Sequence, residues 1–283
     1  MGIDREKLET ALETGRKKIA LQTGSKSLYL PFSLHLFESV TSTNQIIWNL
    51  LKQGASPGCT AIATKQTAGR GQWGRQWISH TGGLYLSVAV APGLEATNSY
   101  QITLATAWGI AKQLQDRGIP AQIKWPNDLV LNRRKLGGIL TETRVKQGQI
   151  AQAAIGVGIN WANPVPETGI NLEMWQGQHH KPISSLEMLA ATVLIGIESG
   201  IQCLVAEGVN ILMTRYLELL ANIGDRVHLD NFTGTVVGVT NSGALRVQTE
   251  TSEFVTGQTR EISFQPGTIS LGYCNSSPES SKF

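Results

Sequence analysis

Three short stretches hold residues whose types and spacing suit anion chemistry. The first is Gly69-Arg70-Gly71-Gln72-Trp73-Gly74-Arg75-Gln76-Trp77. Glycines let backbone N–H groups approach an anion, arginines grip phosphate with paired hydrogen bonds, and tryptophan rings offer a stacking surface. The run is neither a Walker A loop, which ends Gly-Lys-Ser/Thr, nor the Rossmann fingerprint, and taken alone it also suits a surface turn. The second stretch is Lys124-Trp125-Pro126-Asn127-Asp128. It supplies a cation for phosphate and an Asn/Asp pair for magnesium, with an edge strand carrying a salt bridge as the bland alternative. The third is Lys135-Leu136-Gly137-Gly138-Ile139-Leu140. An isolated lysine is normally solvated, but the two glycines leave room for a ligand against the backbone.

Taken together, an arginine, two lysines, an asparagine and a carboxylate on glycine-rich supports suit adenylation. A substrate carboxylate attacks the α-phosphorus of ATP and pyrophosphate leaves, so the protein need supply no nucleophile. It must hold two anions in line and neutralise the charge that develops. No Ser-His-Asp or Cys-His arrangement stands out, and His179-His180, being adjacent, read as a loop.

Apolar periodicity gives the elements that position these stretches. Thr41-Ser42-Thr43-Asn44 opens a helix with Ile47, Leu50 and Leu51 on its apolar face, stopped at Gly54; the hydroxyl and amide side chains are natural N-caps. A strand spans 60–65. Alternation over 84–90 predicts a half-buried strand, and the spacing over 99–117 predicts a helix ending at Gly118. Strands over 122–131 and 135–144 flank a turn at 132–134, with a further strand of the same sheet at 150–160. Two helices fill 185–220, broken near Gly200 or Gly208. The character then changes: β-type runs at 225–229, 233–240, 244–249 and 253–257, with Asn241-Ser242-Gly243 as a hairpin turn, predict a small barrel from about residue 222. Residues 1–30 read as a short amphipathic lead-in, loosely attached, and the Ser-rich tail from Asn275 as disordered.

Bulk properties narrow the class. The 283 residues are 41% hydrophobic and 16% charged, enough for a core in one large and one small domain. A net charge of +3 does not indicate a nucleic-acid partner. Three scattered cysteines, Cys59, Cys203 and Cys274, form neither a disulfide framework nor a zinc pattern and fit a reducing cytoplasm. No signal peptide opens the chain, and no stretch reads as long and apolar enough to cross a membrane. The expected class is a cytoplasmic α/β (α+β) protein.

The order of these motifs resembles the biotin–protein ligases. It runs from Ser42-Thr43-Asn44 through residues 66–75, 124–128 and 135–140 to Gly156-Val157-Gly158-Ile159-Asn160, over nearly the whole chain after the lead-in. The resemblance implies a lead-in (1–30), a catalytic domain with a mixed sheet flanked by helices (31–221), an SH3-like barrel (222–273) and a disordered tail (274–283). Implied biotin contacts are Ser42, Thr43, Asn44, Gln66, Gly69, Arg70, Lys135, Gly138 and Leu140, with the apolar strand at 84–90 and the backbone of residues 138–140 walling the biotin rings. Arg70, Gln72, Arg75, Trp77, Lys124, Asn127 and Asn160 fall on the ATP side. Lys135, Arg70, Lys124 and Asp128 carry the chemistry, Asp128 near magnesium or the incoming amine. The implied reactants are biotin, ATP and Mg2+, and the implied acceptor is the biotin carboxyl carrier protein of acetyl-CoA carboxylase. The family contains monomers and homodimers. Some members carry an N-terminal winged helix, for which the roughly forty residues before Ser42 are too few. Where many members have a second arginine in Gly-Arg-Gly-Arg, this chain has Gln72, which predicts weaker retention of the adenylate, with Trp73 as a cover over the site. Rival readings are a lipoate ligase or octanoyl transferase of the same superfamily, a biotin-sensing DNA-binding repressor and an inactive adenylate-binding relative.

Overall fold

The alternating run at Leu84–Val90 forms an inner strand of the larger sheet. In the computed structural model, which describes residues 2–23, 30–229, 232–249 and 260–273, all seven of its residues are buried. The strand is therefore not half-buried as its alternation predicts. Helices cover both of its faces, and the small or polar residues between the large apolar ones meet protein rather than water.

That strand, β3, lies in a seven-stranded mixed sheet of order β1-β2-β3-β7-β6-β5-β4. The others are β1 (Ser33–Phe37), β2 (Cys59–Ala63), β4 (Gln122–Lys124), β5 (Asp128–Leu131), β6 (Arg134–Lys146) and β7 (Gln149–Ile159). Strands β1 and β2 pair in parallel; the remaining ladders of this sheet are antiparallel. The predicted 122–131 strand is two strands, because Trp125-Pro126, joined by a cis peptide bond, folds β4 back onto β5. The turn between β5 and β6 is the pair Asn132 and Arg133, both at positive φ (51° and 58°), the geometry of a two-residue hairpin.

On one face, helix α2 (Thr43–Lys52) packs Ile47, Trp48 and Leu51 against Ala61, Ala89 and Ala154. Ser42 is its N-cap residue by backbone geometry but makes no side-chain cap bond. On the other face, α3 (Ser99–Gln115) and α5 (Leu186–Gln202) cross in close contact: a Cβ on Gly200 would stand 2.0 Å from the Ala105 carbonyl oxygen. Gly200 is thus inside a helix, and the predicted break falls at Gly208 (φ 89°), just before α6 (Val209–Glu218). A short helix, α4 (Leu172–Gln176), is capped by the Asn171 side chain. The apolar stretch Leu186–Glu207 is long enough to span a bilayer, contrary to the sequence reading, yet 78% of its most apolar window is buried inside the protein, as in a core helix.

Residues 5–23 form α1 (Arg5–Thr23), the helix that the one-sided spacing of Leu8, Leu12 and Ile19 predicts; only their attachment departs from expectation, with Leu8 and Leu12 buried and Arg16 ion-paired to Glu198 of α5 at 2.6 Å. The lead-in is a packed element, not a loose one. A second sheet, antiparallel, has the order β11-β10-β9-β8, from β8 (Arg226–Leu229), β9 (Phe232–Val239), β10 (Leu245–Thr249) and β11 (Glu261–Phe264). Its Val227, Val236, Leu245 and Val247 join the main apolar core. The run predicted at 253–257 and the tail from Asn275 lie outside the described residues.

Candidate functional site

Strand register assembles the site on the α2 face of the large sheet. Lys124 pairs with Asp128, Asp128 with Gly138, and Gly138 with Gly158, one row across four strands. The next row on that face joins Leu140, Gly156 and Ser87. Gly138 and Gly158 leave a floor on which the Trp77 indole lies; a Cβ on Gly158 would stand 2.4 Å from Trp77 Nε1. That Nε1 is buried against the sheet and without a hydrogen-bond partner among the described atoms.

Lys135 reaches this face through a bulge. Leu129 pairs with Gly137 but Val130 pairs with Lys135, so Leu136 has no opposite residue. The extra residue reverses the alternation: Leu136 points into the core, fully buried, and the Lys135 ammonium lies 2.8 Å from Asp128 Oδ1. The β4–β5 hairpin is fixed from several sides. The Trp125 backbone N–H donates to Asn222 Oδ1 (2.8 Å), its indole N–H to the Gly243 carbonyl (2.9 Å), and Asn127 Nδ2 to the Ile139 carbonyl (2.8 Å).

These elements enclose a cavity of about 390 Å³, within the usual range for small-molecule sites. Ser42, Thr43, Asn44 and Gln66 line one end. The Thr43 backbone N–H donates to Gln66 Oε1 (2.9 Å), and Ser87 Oγ lies within hydrogen-bond distance of both Thr43 Oγ1 (2.7 Å) and Asn44 Oδ1 (2.6 Å). Arg70, Gln72, Arg75 and Trp77 line it from the glycine-rich loop, and Lys124, Asn127, Asp128, Lys135, Gly138 and Leu140 from the sheet. The loop closes on itself through Gly71 N–H to the Arg75 carbonyl (2.7 Å) and Trp77 N–H to the Gly69 carbonyl (3.0 Å).

Two predicted site residues stand outside the lining. Gly69 serves the loop's close packing, where a Cβ would meet the Trp77 carbonyl oxygen at 2.4 Å. Asn160 is buried, and its Nδ2 donates to the Lys135 carbonyl (3.2 Å), so it supports the bulge rather than the cavity. Strand β3 is not in the lining either. The wall comes from Ile139 and Leu140 of β6 and Gly156, Val157 and Gly158 of β7, with Ser87 behind Thr43 and Asn44. Sequence reasoning missed Glu142, whose carboxylate takes two bonds from Arg70 (3.0 Å each), one from Asn44 Nδ2 (2.8 Å) and one from Trp48 Nε1 (3.1 Å). Its place two residues after Leu140 on the same strand face was the available signal.

Charge sets the chemistry. Arg70, Arg75, Lys124 and Lys135 converge on a cavity whose lining, among the described residues, holds one carboxylate, Asp128. Burial pulls Lys124 down to about 8; Asp128 opposes the shift, while Lys135 and Arg75 add to it. Such a site can bind a polyanion, neutralise charge at a phosphorus centre, and hold a second, neutral-bodied ligand at the Ser42–Gln66 end. Among the described residues no three His, Cys, Asp or Glu side chains are grouped for a metal.

Residues 36–160 match the model of the biotin/lipoate A/B protein ligase family. The chain is 33% identical over 225 residues to the bifunctional ligase/repressor BirA of Escherichia coli, covering 76% of this chain and 69% of that protein. It is 33% identical over 122 residues to the biotin–[acetyl-CoA-carboxylase] ligase of Paracoccus denitrificans, 42% of this chain and 50% of that one. The chain spans about half the length of the Bacillus and Salmonella relatives that share the E. coli protein's name. Its fold is similar to that of a mutant biotin protein ligase of Aquifex aeolicus in complex with biotin, with TM-score 0.65, 25% identity, 82% of this chain and 95% of that one covered.

Proposed function

We propose, since this chain belongs to the biotin/lipoate A/B protein ligase family, that it activates biotin with ATP as biotinyl-5'-AMP and transfers the biotinyl group to a lysine of an acceptor protein. The observation that carries the reading is the convergence on one cavity of Arg70, from the glycine-rich loop, with Lys124, Asp128 and Lys135, from the β4–β5–β6 strands more than fifty residues further along the chain.

Biotin lies with its ring system at the Ser42, Thr43 and Gln66 end, against Gly156 and Leu140, and its carboxylate toward Lys135 and Arg70. ATP lies along Arg75, Trp77, Lys124 and Asn127. A carboxylate oxygen of biotin attacks the α-phosphorus, the bond to the β-phosphate bridging oxygen breaks, and pyrophosphate leaves with its charge neutralised by Lys124 and Arg75. Asp128 holds the Lys135 ammonium at the point where the two substrates meet. The acceptor amine then attacks the acyl carbon, AMP departs, and Asp128 is the nearest carboxylate to take the amine's proton. Magnesium fits as an ion arriving on the ATP phosphates, with Asp128 as its protein-side oxygen ligand, since a single carboxylate suits Mg2+ shared with phosphates and water. It would neutralise phosphate charge there.

The name of the Paracoccus relative supports a biotin carboxyl carrier protein as acceptor. The test is to incubate the chain with ATP, Mg2+ and either biotin or lipoate, then look by mass spectrometry for the acyl adenylate and for a biotinylated carrier lysine. Biotinyl-5'-AMP followed by transfer supports the reading; lipoyl-AMP alone, or no adenylate, contradicts it.

A further inference from the structure

The cavity has a wall contributed by the far end of the chain. Residues 267–271, which follow β11, line it, although they lie far along the chain from the β4–β5 hairpin. This strap touches both of the cavity's working parts. The Tyr273 phenol donates to Asp128 Oδ2, the oxygen that Lys135 does not use. The Lys124 ammonium sits 3.8 Å from the centroid of the Tyr273 ring and donates to the Leu271 carbonyl. At its other end Gly267 (φ 91°) meets the glycine-rich loop: a Cβ there would stand 2.5 Å from the Trp73 ring.

We infer that residues 266–273 form a working wall of the nucleotide side, and that Tyr273 is a positioning residue that sets Lys124 and Asp128 for ATP. The inference rests on the adenylation reading. A strap making these contacts has two options, to wall the site or to plug it. With the strap in place the cavity still has about 390 Å³ and remains lined by the residues of both proposed subsites, so it walls. The phenol fixes which way the Asp128 carboxylate faces, leaving Oδ1 for Lys135. The ring face holds the Lys124 ammonium from one side and leaves its other donors for phosphate. Trp73, seated on Gly267, ties the loop bearing Arg70 and Arg75 to the same wall.

Steady-state pyrophosphate release by the full chain, with ATP and biotin varied separately, tests this in wild type, Tyr273→Phe and Tyr273→Ala. Phenylalanine keeps the ring under Lys124 and loses only the bond to Asp128. Alanine loses both. The expected result is a graded rise in the KM for ATP, about threefold for Phe and about tenfold or more for Ala, with the KM for biotin within about twofold of wild type. Circular dichroism melts of the three proteins should coincide. A merely structural role would instead move both KM values together with the melting temperature, and would overturn the inference. So would an unchanged KM for ATP in both variants, and a fall in that KM would mark the strap as a plug. A wild type inactive with biotin overturns the adenylation reading and the inference with it.

Discussion

The Lys135 ammonium stands 2.8 Å from Asp128 Oδ1, across the β5–β6 ladder, because a bulge at Leu136 turns the lysine onto the cavity face. The pair marks where carboxylate and α-phosphate are to meet, so both members should matter in different ways. Lys135→Ala should lower kcat/KM for adenylate formation by ~10²–10³, the scale for removing one preorganised charge donor from a reacting centre. Asp128→Asn, which removes the charge that holds Lys135 and would meet magnesium, should slow both adenylate formation and transfer to the acceptor amine while leaving biotin binding within a fewfold. Rapid-quench measurement of the two half-reactions reads both effects; adenylate formation at the wild-type rate in Asp128→Asn would contradict this assignment.

Lys124 is held at about 8 by burial, well below an ordinary lysine. Its cation is therefore lost as pH rises through about 8, and kcat/KM for ATP, which reports the free enzyme, should fall above that pH. Lys124→Arg, always charged, should abolish this alkaline limb. A wild-type profile flat to about pH 10, or a limb that persists in the arginine variant, would show that the limb does not come from Lys124.

Gln72 lines the cavity without a charge. A charge-assisted hydrogen bond is roughly twice as strong as a neutral one, so Gln72→Arg should slow dissociation of biotinyl-5'-AMP by about tenfold. Stopped-flow displacement of the adenylate measures this directly, and an unchanged rate would remove the proposed role for this position.

The N-terminal helix makes a separate claim on stability. Glu198 is 5% exposed and takes two bonds from Arg16, at 2.6 and 3.0 Å, and one from the Leu30 N–H at 2.5 Å. Arg16→Ala would leave that carboxylate buried and short of its cation, at a cost of ~3–5 kcal/mol. Urea denaturation at neutral pH reads this as a lower midpoint with little change in slope. A loss under about 1 kcal/mol would mean α1 is only loosely held.

Much of the site was legible because its chemistry sits in runs. Gly69 to Trp77, Lys124 to Asp128 and Lys135 to Leu140 each carry charge beside glycine or proline, and all three runs border the cavity. What could not be read was set by register and by long-range contact. Nothing in the local sequence places a bulge at Leu136, so neither the facing of Lys135 nor the supporting role of Asn160 follows from spacing. Alternation placed Leu84–Val90 in a strand, but only the helix on each face buries both of its sides, and of the two expected walls the 138–140 backbone lines the cavity, joined by β7, while β3 does not. The role of Glu142 depends on Asn44 and Trp48 of α2 and Arg70 of the glycine-rich loop, which reach it from parts of the chain about 70 to 100 positions away. Tyr273 reaches Asp128 across 145 positions, a pairing that no window of sequence contains.

The most direct test of the account is pyrophosphate release from ATP and Mg2+, with biotin present or absent, in wild type beside Arg70→Ala and Lys135→Ala. Release should require biotin, ignore lipoate and fall by at least ~10²-fold in both variants while the proteins stay folded. Release that is independent of biotin, or that survives both substitutions, would contradict it.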